Sequence, residues 1–246
     1  MNEFLKDTQG QPLALDKYRQ AYAAYDALDE KREHEYQYTR SIWSLPPAIE
    51  ALSLIESRGK RVLIVGLGVG TEAALFLDRQ AVEVVGIDIA LPKQCPQGIS
   101  RHVMDVHHMS FADNSFDIVY CQHTLMFCNR DLAFKEIKRV LRQGGAFISI
   151  EVLLDNIYMF MNRKILNRYR ETKYVRFSEY ISARDIFGEA VLLKGYYLLS
   201  PLFFVIKLFR MTRLFYFLAG LESAIFSRIP FLRKYSTFGL AVYRKS

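Results

Sequence analysis

Short apolar runs alternate with stretches of helical periodicity from Arg61 almost to the end of the 246-residue chain. "VLIV", "VEVVGID", "FDIVYC" and "AFISIEV" read as strands, and "ISRHVM" as a weaker one between the second and the fourth. Helices are predicted near 71–80 and 131–142, and "RFSEYISARDIFGEA" reads as the helix before a sixth strand, with "TFGLAVYRK" closing the set. Strands this short, without polar alternation and separated by helices of about ten residues, are covered on both faces and run parallel. The fold class that follows is α/β, an open, doubly wound, mostly parallel sheet whose ligands belong at the carboxyl ends of the strands.

Two segments depart from this rhythm. Residues 1–58 look helical and aromatic, with Tyr18, Tyr22 and Tyr25 at helical spacing and Pro46-Pro47 opening a further short helix. We read them as an N-terminal helical lid. Residues 200–235 form an apolar, basic helical insertion before the last strand. On a helix from Phe203 to Leu218, Lys207, Arg210 and Arg213 make one narrow stripe and nearly every other side chain is apolar. A soluble helix needs only one apolar face, so this one requires cover. The reading leaves an anionic membrane surface, a packed subdomain and a homodimer face open. The catalytic unit is then 59–199 plus 236–246.

Charge sharpens that picture. From residue 190 onward nine Lys/Arg stand against the single acid Glu222, while the earlier residues hold 24 basic and 25 acidic side chains. The basic character is local and suggests an anionic partner surface. Nucleic acid is disfavoured, because the basic residues are embedded in apolar sequence rather than in a polar groove interleaved with aromatics. Cys95, Cys121 and Cys128 form neither a C-x-x-C pair nor an even framework, so they are expected as reduced thiols in a cytoplasmic protein. No signal-peptide pattern opens the chain, and no run reaches the 18 apolar residues of a spanning helix.

The chemistry concentrates in "RVLIVGLGVGTEAALFL". Gly66, Gly68 and Gly70 either ease a strand-to-helix turn or cradle a ligand. Their G-x-G-x-G spacing differs from the dinucleotide G-x-G-x-x-G, and Glu72 in the first helical turn would repel a pyrophosphate but tolerate a smaller, mixed-charge ligand. Asp88, about twenty residues on at the end of the second strand, can accept hydrogen bonds from both hydroxyls of a ribose. Loop and acid together point to an adenosine-like ligand across the first two strands.

"VLIVGLGVG", "VVGID", "VMDVHHMSFADNSFDIVYCQHTL" and "FKEIKRVLRQGGAFISIE" resemble, in order, the motifs of small-molecule class I S-adenosylmethionine-dependent methyltransferases of the type-11-like kind. The resemblance covers about residues 60–152 and implies a seven-stranded Rossmann-like sheet. It implies S-adenosyl-L-methionine as cofactor, with Gly66, Gly68 and Gly70 along its methionine and ribose and Asp88, beside Ile89, on the ribose. Asp105 would face the adenine amino group, with Met104 or Val106 against the ring. Cys121, Gln122 and His123 would end the fourth strand near the sulfonium. The acid common two places before the first glycine is Ile64 here, and a histidine common after the fourth strand is Phe127.

His123 is the best-placed candidate base, with a pKa expected near working pH; the alternative is a strand-end histidine satisfied by backbone. His107 and His108 lack enough neighbouring ligands for a metal, so none is assigned. The expected function is methyl transfer to a small, lipophilic acceptor of isoprenoid, quinone, lipid or glycolipid type. A non-catalytic binding protein of the same fold and an RNA methyltransferase are the alternatives.

Overall fold

A computed structural model describes residues 44–91, 95–156, 159, 173–199 and 212–246. Its sheet has seven strands in the order β3-β2-β1-β4-β5-β7-β6. They are β1 (Arg61–Val65), β2 (Glu83–Asp88), β3 (Ile99–Val103), β4 (Phe116–Gln122), β5 (Leu141–Val152), β6 (Ala190–Tyr196) and β7 (Phe238–Arg244). The first five pair in parallel, and β7 runs antiparallel to both β5 and β6. The doubly wound, mostly parallel sheet expected from the sequence is therefore present, with its order reversing between β1 and β4. That is where such sheets open a crevice for ligands.

Successive strand residues feed two cores. Leu63, Val65, Val119 and Cys121 face one side with Ala133, Phe134 and Ile137 of α3 (Arg130–Val140). Val62, Ile64, Ile118 and Tyr120 face the other with Ala48 and Ala51 of α1 (Leu45–Leu54) and Ala73 and Phe76 of α2 (Thr71–Asp78). Burial on both faces explains why β1 carries no polar alternation. β3 is the exception: it lies at the sheet edge with mostly exposed side chains, which made its apolar pattern weak.

Helix α3 also fixes the loop after β3. Asn129 caps its start by accepting from Leu132 N, and Lys138 and Arg139 lie in the last turn, where cations suit the dipole. The Arg139 guanidinium bonds Glu136, Asp113 and the carbonyls of Met109 and Phe111. The segment that follows Asp105 is thereby fastened to the helix.

Some boundaries differ from the sequence reading. β5 starts at Leu141 rather than Ala146, with a register shift opposite Phe116–Ile118. The segment before β6 breaks into α4 (Phe177–Ser182) and α5 (Arg184–Phe187), joined at Ala183. The helix expected over Phe203–Leu218 lies largely outside the described residues, which begin again at α6 (Thr212–Arg228). That helix runs ten residues past the expected end, through Gly220, because Leu218, Glu222 and Phe226 keep an inward face at helical spacing. Glu222 is 3% exposed and accepts from the backbone N–H groups of Tyr197 (2.9 Å) and Leu199 (2.7 Å), tying α6 to the exit of β6. Burial pushes its carboxyl up to about 7.

Of the lid expected over 1–58, residues 1–43 lie outside the described residues. Its last part, α1, is docked by Glu50, which pairs with Lys194 Nζ at 2.8 Å and accepts from Tyr196 Oη.

Candidate functional site

The polypeptide leaves β1 through Gly66, and the first turn is tied to β2. Gly66 N and Leu67 N both donate to Ile87 O at 2.9 Å. Gly66 has φ +74°, and a Cβ built there would lie 1.9 Å from Thr124 Oγ1. Gly68, at φ +54°, instead faces open space, with nothing within 4 Å of a built Cβ. Its N–H donates to Asp88 Oδ2 at 2.9 Å. The loop is thus bare where it faces outward and clasped to the acid at the end of β2.

Asp88 joins a third segment. Its carbonyl accepts from Met104 N at 2.9 Å, which brings Met104, Asp105 and Val106 to the same edge. Asp105 is 7% exposed and its Oδ1 takes both His107 N (2.9 Å) and His107 Nδ1 (2.6 Å). Burial alone would raise this carboxyl, but the hydrogen bonds from His107 outweigh it and hold the group below the usual range. His107 Nε2 in turn accepts from Asn129 N at 2.9 Å, so the imidazole is spent on structure. Among the described residues no group of three or more His, Cys, Asp and Glu could hold a metal ion.

Beside the loop lies a cleft of about 240 Å³. Ile64, Gly66, Leu67, Gly68, Val69 and Glu72 form one wall; Ser44, Tyr120, Gln122 and His123 complete it. Gly66, Gly68, Gln122 and His123 are therefore brought together as the sequence suggests. Gly70, Asp88, Ile89, Met104, Asp105, Val106 and Cys121 are not among the residues lining this cleft; Asp88 meets it only through its bond from Gly68 N. Cys121 differs most from its expected place beside the sulfonium. Its thiol turns to the opposite face of the sheet, 3.7 Å from Glu151 Oε1, and burial pushes it up. One residue further along a strand means the other face.

His123 sits at a left-handed φ of +54°, donates its N–H to Ile150 O at 2.9 Å, and stacks its ring 5.1 Å from Phe238. The residue is partly exposed, yet its Nε2 is enclosed and has no partner. Burial pulls the imidazole down to about 4, with Glu72 opposing the fall. This corrects the expectation of a histidine titrating near neutral pH: desolvation disfavours the cation, and the ring is neutral at pH 7. Backbone satisfies its amide but not its ring.

Glu151 and Thr124 were missed by motif reading. Glu151 is fully buried, and its Oε1 accepts from Thr124 N and Leu125 N, each at 2.9 Å. Burial pushes its carboxyl up to about 7. The pair holds the turn that presents His123 and packs Thr124 against the glycine loop. An acid closing the otherwise apolar "AFISIEV" was the available signal.

Residues 63–149 match the family model described as a methyltransferase domain. Over that segment the chain is similar to methyltransferase domains. The domain is similar to Methyltransferase GfsG of Streptomyces halstedii, 28% identical over 160 residues, covering 56% of this chain and 57% of that protein. It is also similar to Sterol 24-C-methyltransferase erg6 of Aspergillus fumigatus, 34% identical over 112 residues, covering 41% and 30%. The chain thus spans little more than half of the first and under a third of the second. An S-adenosylmethionine-dependent methyltransferase of Mesorhizobium loti shares the fold at a TM-score of 0.54 and 17% identity, over 81% of this chain and 96% of that one.

Proposed function

We propose that the protein binds S-adenosyl-L-methionine at the glycine loop and transfers its methyl group to a small, lipophilic acceptor. The observation that carries this reading is the Gly68–Asp88 clasp, which sets a carboxylate beside bare backbone at the switch point. The residues fit the cofactor. Asp88 would hold the ribose, Asp105 would meet the adenine amino group through Oδ2 because Oδ1 is taken by His107, and Gly66 and Gly68 would let the backbone approach the ligand.

Once bound, the cofactor supplies a methyl group already activated by its sulfonium. Transfer would take the methyl carbon onto the acceptor's electron pair and leave a neutral thioether as the product. The protein's own task is alignment and exclusion of water. His123 offers the cleft a neutral ring and an enclosed Nε2, suited to orienting an acceptor by one hydrogen bond. As a base it would take a proton only from an acceptor made acidic by the transfer itself.

The lipophilic acceptor rests on the insertion. Phe217, Leu221, Ile229 and Phe231 are exposed beside Arg228 and Lys234, a surface suited to an anionic membrane interface. Among the described residues no helix is long and apolar enough to cross a membrane. The sterol methyltransferase likeness points the same way, for the part of the chain it covers. Incubating cell extract with labelled S-adenosylmethionine and purified protein should move label into the lipid fraction. Label confined to RNA would favour a nucleic-acid acceptor, and cofactor binding with no transfer would leave a binding protein.

A further inference from the structure

We infer that the outer face of α6, with the 3₁₀ turn after it (Pro230–Tyr235), docks on an anionic lipid bilayer and carries the His123 side of the cleft to the membrane. Delivery of an acceptor by this route rests on the proposed transfer to a lipophilic molecule; the docking itself does not.

Strand register sets the position of this surface. Phe238, the first residue of β7, pairs with Val152 at the end of β5 and with Tyr196 at the end of β6. The exits of β5 and β6 therefore share a rim with Gln122 and His123 after β4, and those two residues line the cleft. Helix α6 packs on that rim. Its Leu218 joins Tyr197 and Phe238 in one buried cluster, and the Phe238 ring stacks 5.1 Å from His123. Through this cluster the inner face of the helix reaches a wall of the cleft.

The outer face carries the other half of the argument. Phe217, Leu221 and Arg228 fall within about 40° of one another around α6, away from the inward Leu218, Glu222 and Phe226. Phe217 is 67% exposed, and Phe231 on the following turn is 64% exposed, with Ile229 and Tyr235 also open. Large apolar side chains gathered on one exposed face call for a partner. Charge selects it. Among the described residues from 212 to 236 the one acid, Glu222, is buried on Tyr197 N and Leu199 N, whereas Arg228 and Lys234 are exposed. Lys234 Nζ lies 4.9 Å from the centre of the Tyr235 ring, a cation set against an amphipathic aromatic. Asp155, beside the Asn156 that donates to Tyr235 O, is paired with Arg176. A second copy docked about a two-fold axis would set these cations against themselves with no acid to meet them. Anionic headgroups above an apolar layer match both the charge and the exposed rings. The sequence leading into α6, "PLFFVIKLFRM", has the same apolar and basic composition.

The test is flotation of the full chain with vesicles of phosphatidylcholine alone and with about one-third phosphatidylglycerol. Binding is expected on the anionic vesicles, weaker on the neutral ones, and falling as salt rises from about 0.1 to 1 M. The double variant Phe217→Ser/Phe231→Ser should lower partitioning by about tenfold or more, through lost apolar burial. Arg228→Ala/Lys234→Ala should lower it by about 25-fold, about fivefold for each charge. Val82→Ser, at an exposed valine before β2 on the opposite rim, should change nothing. Label carried into extract lipid should fall with the phenylalanine pair removed, while S-adenosylmethionine affinity by calorimetry holds. No vesicle binding, equal binding to both compositions, or a Val82→Ser loss matching the double variant overturns the docking surface. So does a dimer in sedimentation that the phenylalanine variant disperses, which would make a second copy the occupant. A lowered melting temperature in that variant, with vesicle binding intact, also overturns it, because the chain itself would then cover the face. Undiminished lipid labelling by the variant overturns the delivery route. Vesicle binding by a protein that does not bind S-adenosylmethionine would uphold the docking and remove the methyl-transfer reading instead.

Discussion

Gly66 and Thr124 are in such close contact that a Cβ on the first would sit 1.9 Å from the hydroxyl oxygen of the second. The threonine belongs to the turn after β4, the glycine to the turn after β1, and Thr124 Oγ1 also approaches Val65 O at 3.3 Å. Two turns that flank the switch point are locked together through the missing side chain. Gly66→Ala should therefore cost more than its positive φ alone. Gly59 provides the control, with φ +67° and nothing within 4 Å of a built Cβ. Gly59→Ala is expected to cost about 1 kcal/mol from backbone strain. Gly66→Ala should add overpacking of roughly 1–3 kcal/mol and abolish cofactor binding. Urea titration of both variants checks this; equal losses would show that Thr124 moves aside freely.

Asp88 is expected to matter twice, for the loop and for the ligand. Asp88→Ala strands the Gly68 N–H and removes the ribose acceptor, so affinity for S-adenosylmethionine should fall by roughly 1–3 kcal/mol. Calorimetry measures it. An unchanged affinity would mean the ribose is held elsewhere.

Much of this arrangement was legible in the chain, and the parts that were not have physical reasons. Strands β1, β2 and β4 announced themselves because both faces are buried and their central positions carry apolar side chains without polar alternation. The glycine loop and Asp88 were legible because the backbone conformation and the acid each leave a mark in sequence. Cys121 was expected near the sulfonium and lies on the other face, since the alternation of a strand fixes which residues share a face but not which face meets the ligand. The pKa of His123 was misjudged because burial at the end of β4, against Phe238, is a tertiary fact. Glu151 escaped notice for a similar reason: its partners, Thr124 and Leu125, are more than 25 residues away.

Glu151 makes a pH signature available. Burial raises its carboxyl from the model-peptide value of 4.5 to about 7 in the folded protein, against the lowering effect of two backbone N–H groups. A folded-state pKa above the unfolded one means that the folded state binds the proton more tightly. The contribution is fully present below pH 4.5 and is lost as pH rises through about 7. Glu151→Gln keeps an acceptor for Thr124 N and Leu125 N but cannot ionise. Relative to the variant, wild type should lose on the order of 3 kcal/mol between those limits, at about 1.4 kcal/mol per unit. Chemical denaturation of both proteins from pH 5 to pH 8 gives the difference curve, and a flat one would mean that water reaches the carboxylate.

His123 is the sharpest test of mechanism, because binding and transfer make different demands on it. Its ring lines the cleft and its Nε2 is enclosed without a partner, whereas the residues proposed for the nucleoside lie on the loop, β2 and the segment after β3. His123→Ala should therefore leave S-adenosylmethionine affinity within about twofold and cut turnover by about 10²–10⁴, the range for a positioned group that assists proton movement. The wild-type rate should show no histidine limb between pH 6 and 8, since the imidazole is already neutral there. A decline should begin only as pH falls toward about 4. His123→Gln separates the two possible tasks. A glutamine can hydrogen-bond an acceptor but cannot take its proton, so substantial turnover in that variant would assign His123 to orientation alone. Full turnover in His123→Ala would remove it from the reaction and leave its left-handed backbone and enclosed nitrogen as consequences of the turn that Glu151 holds.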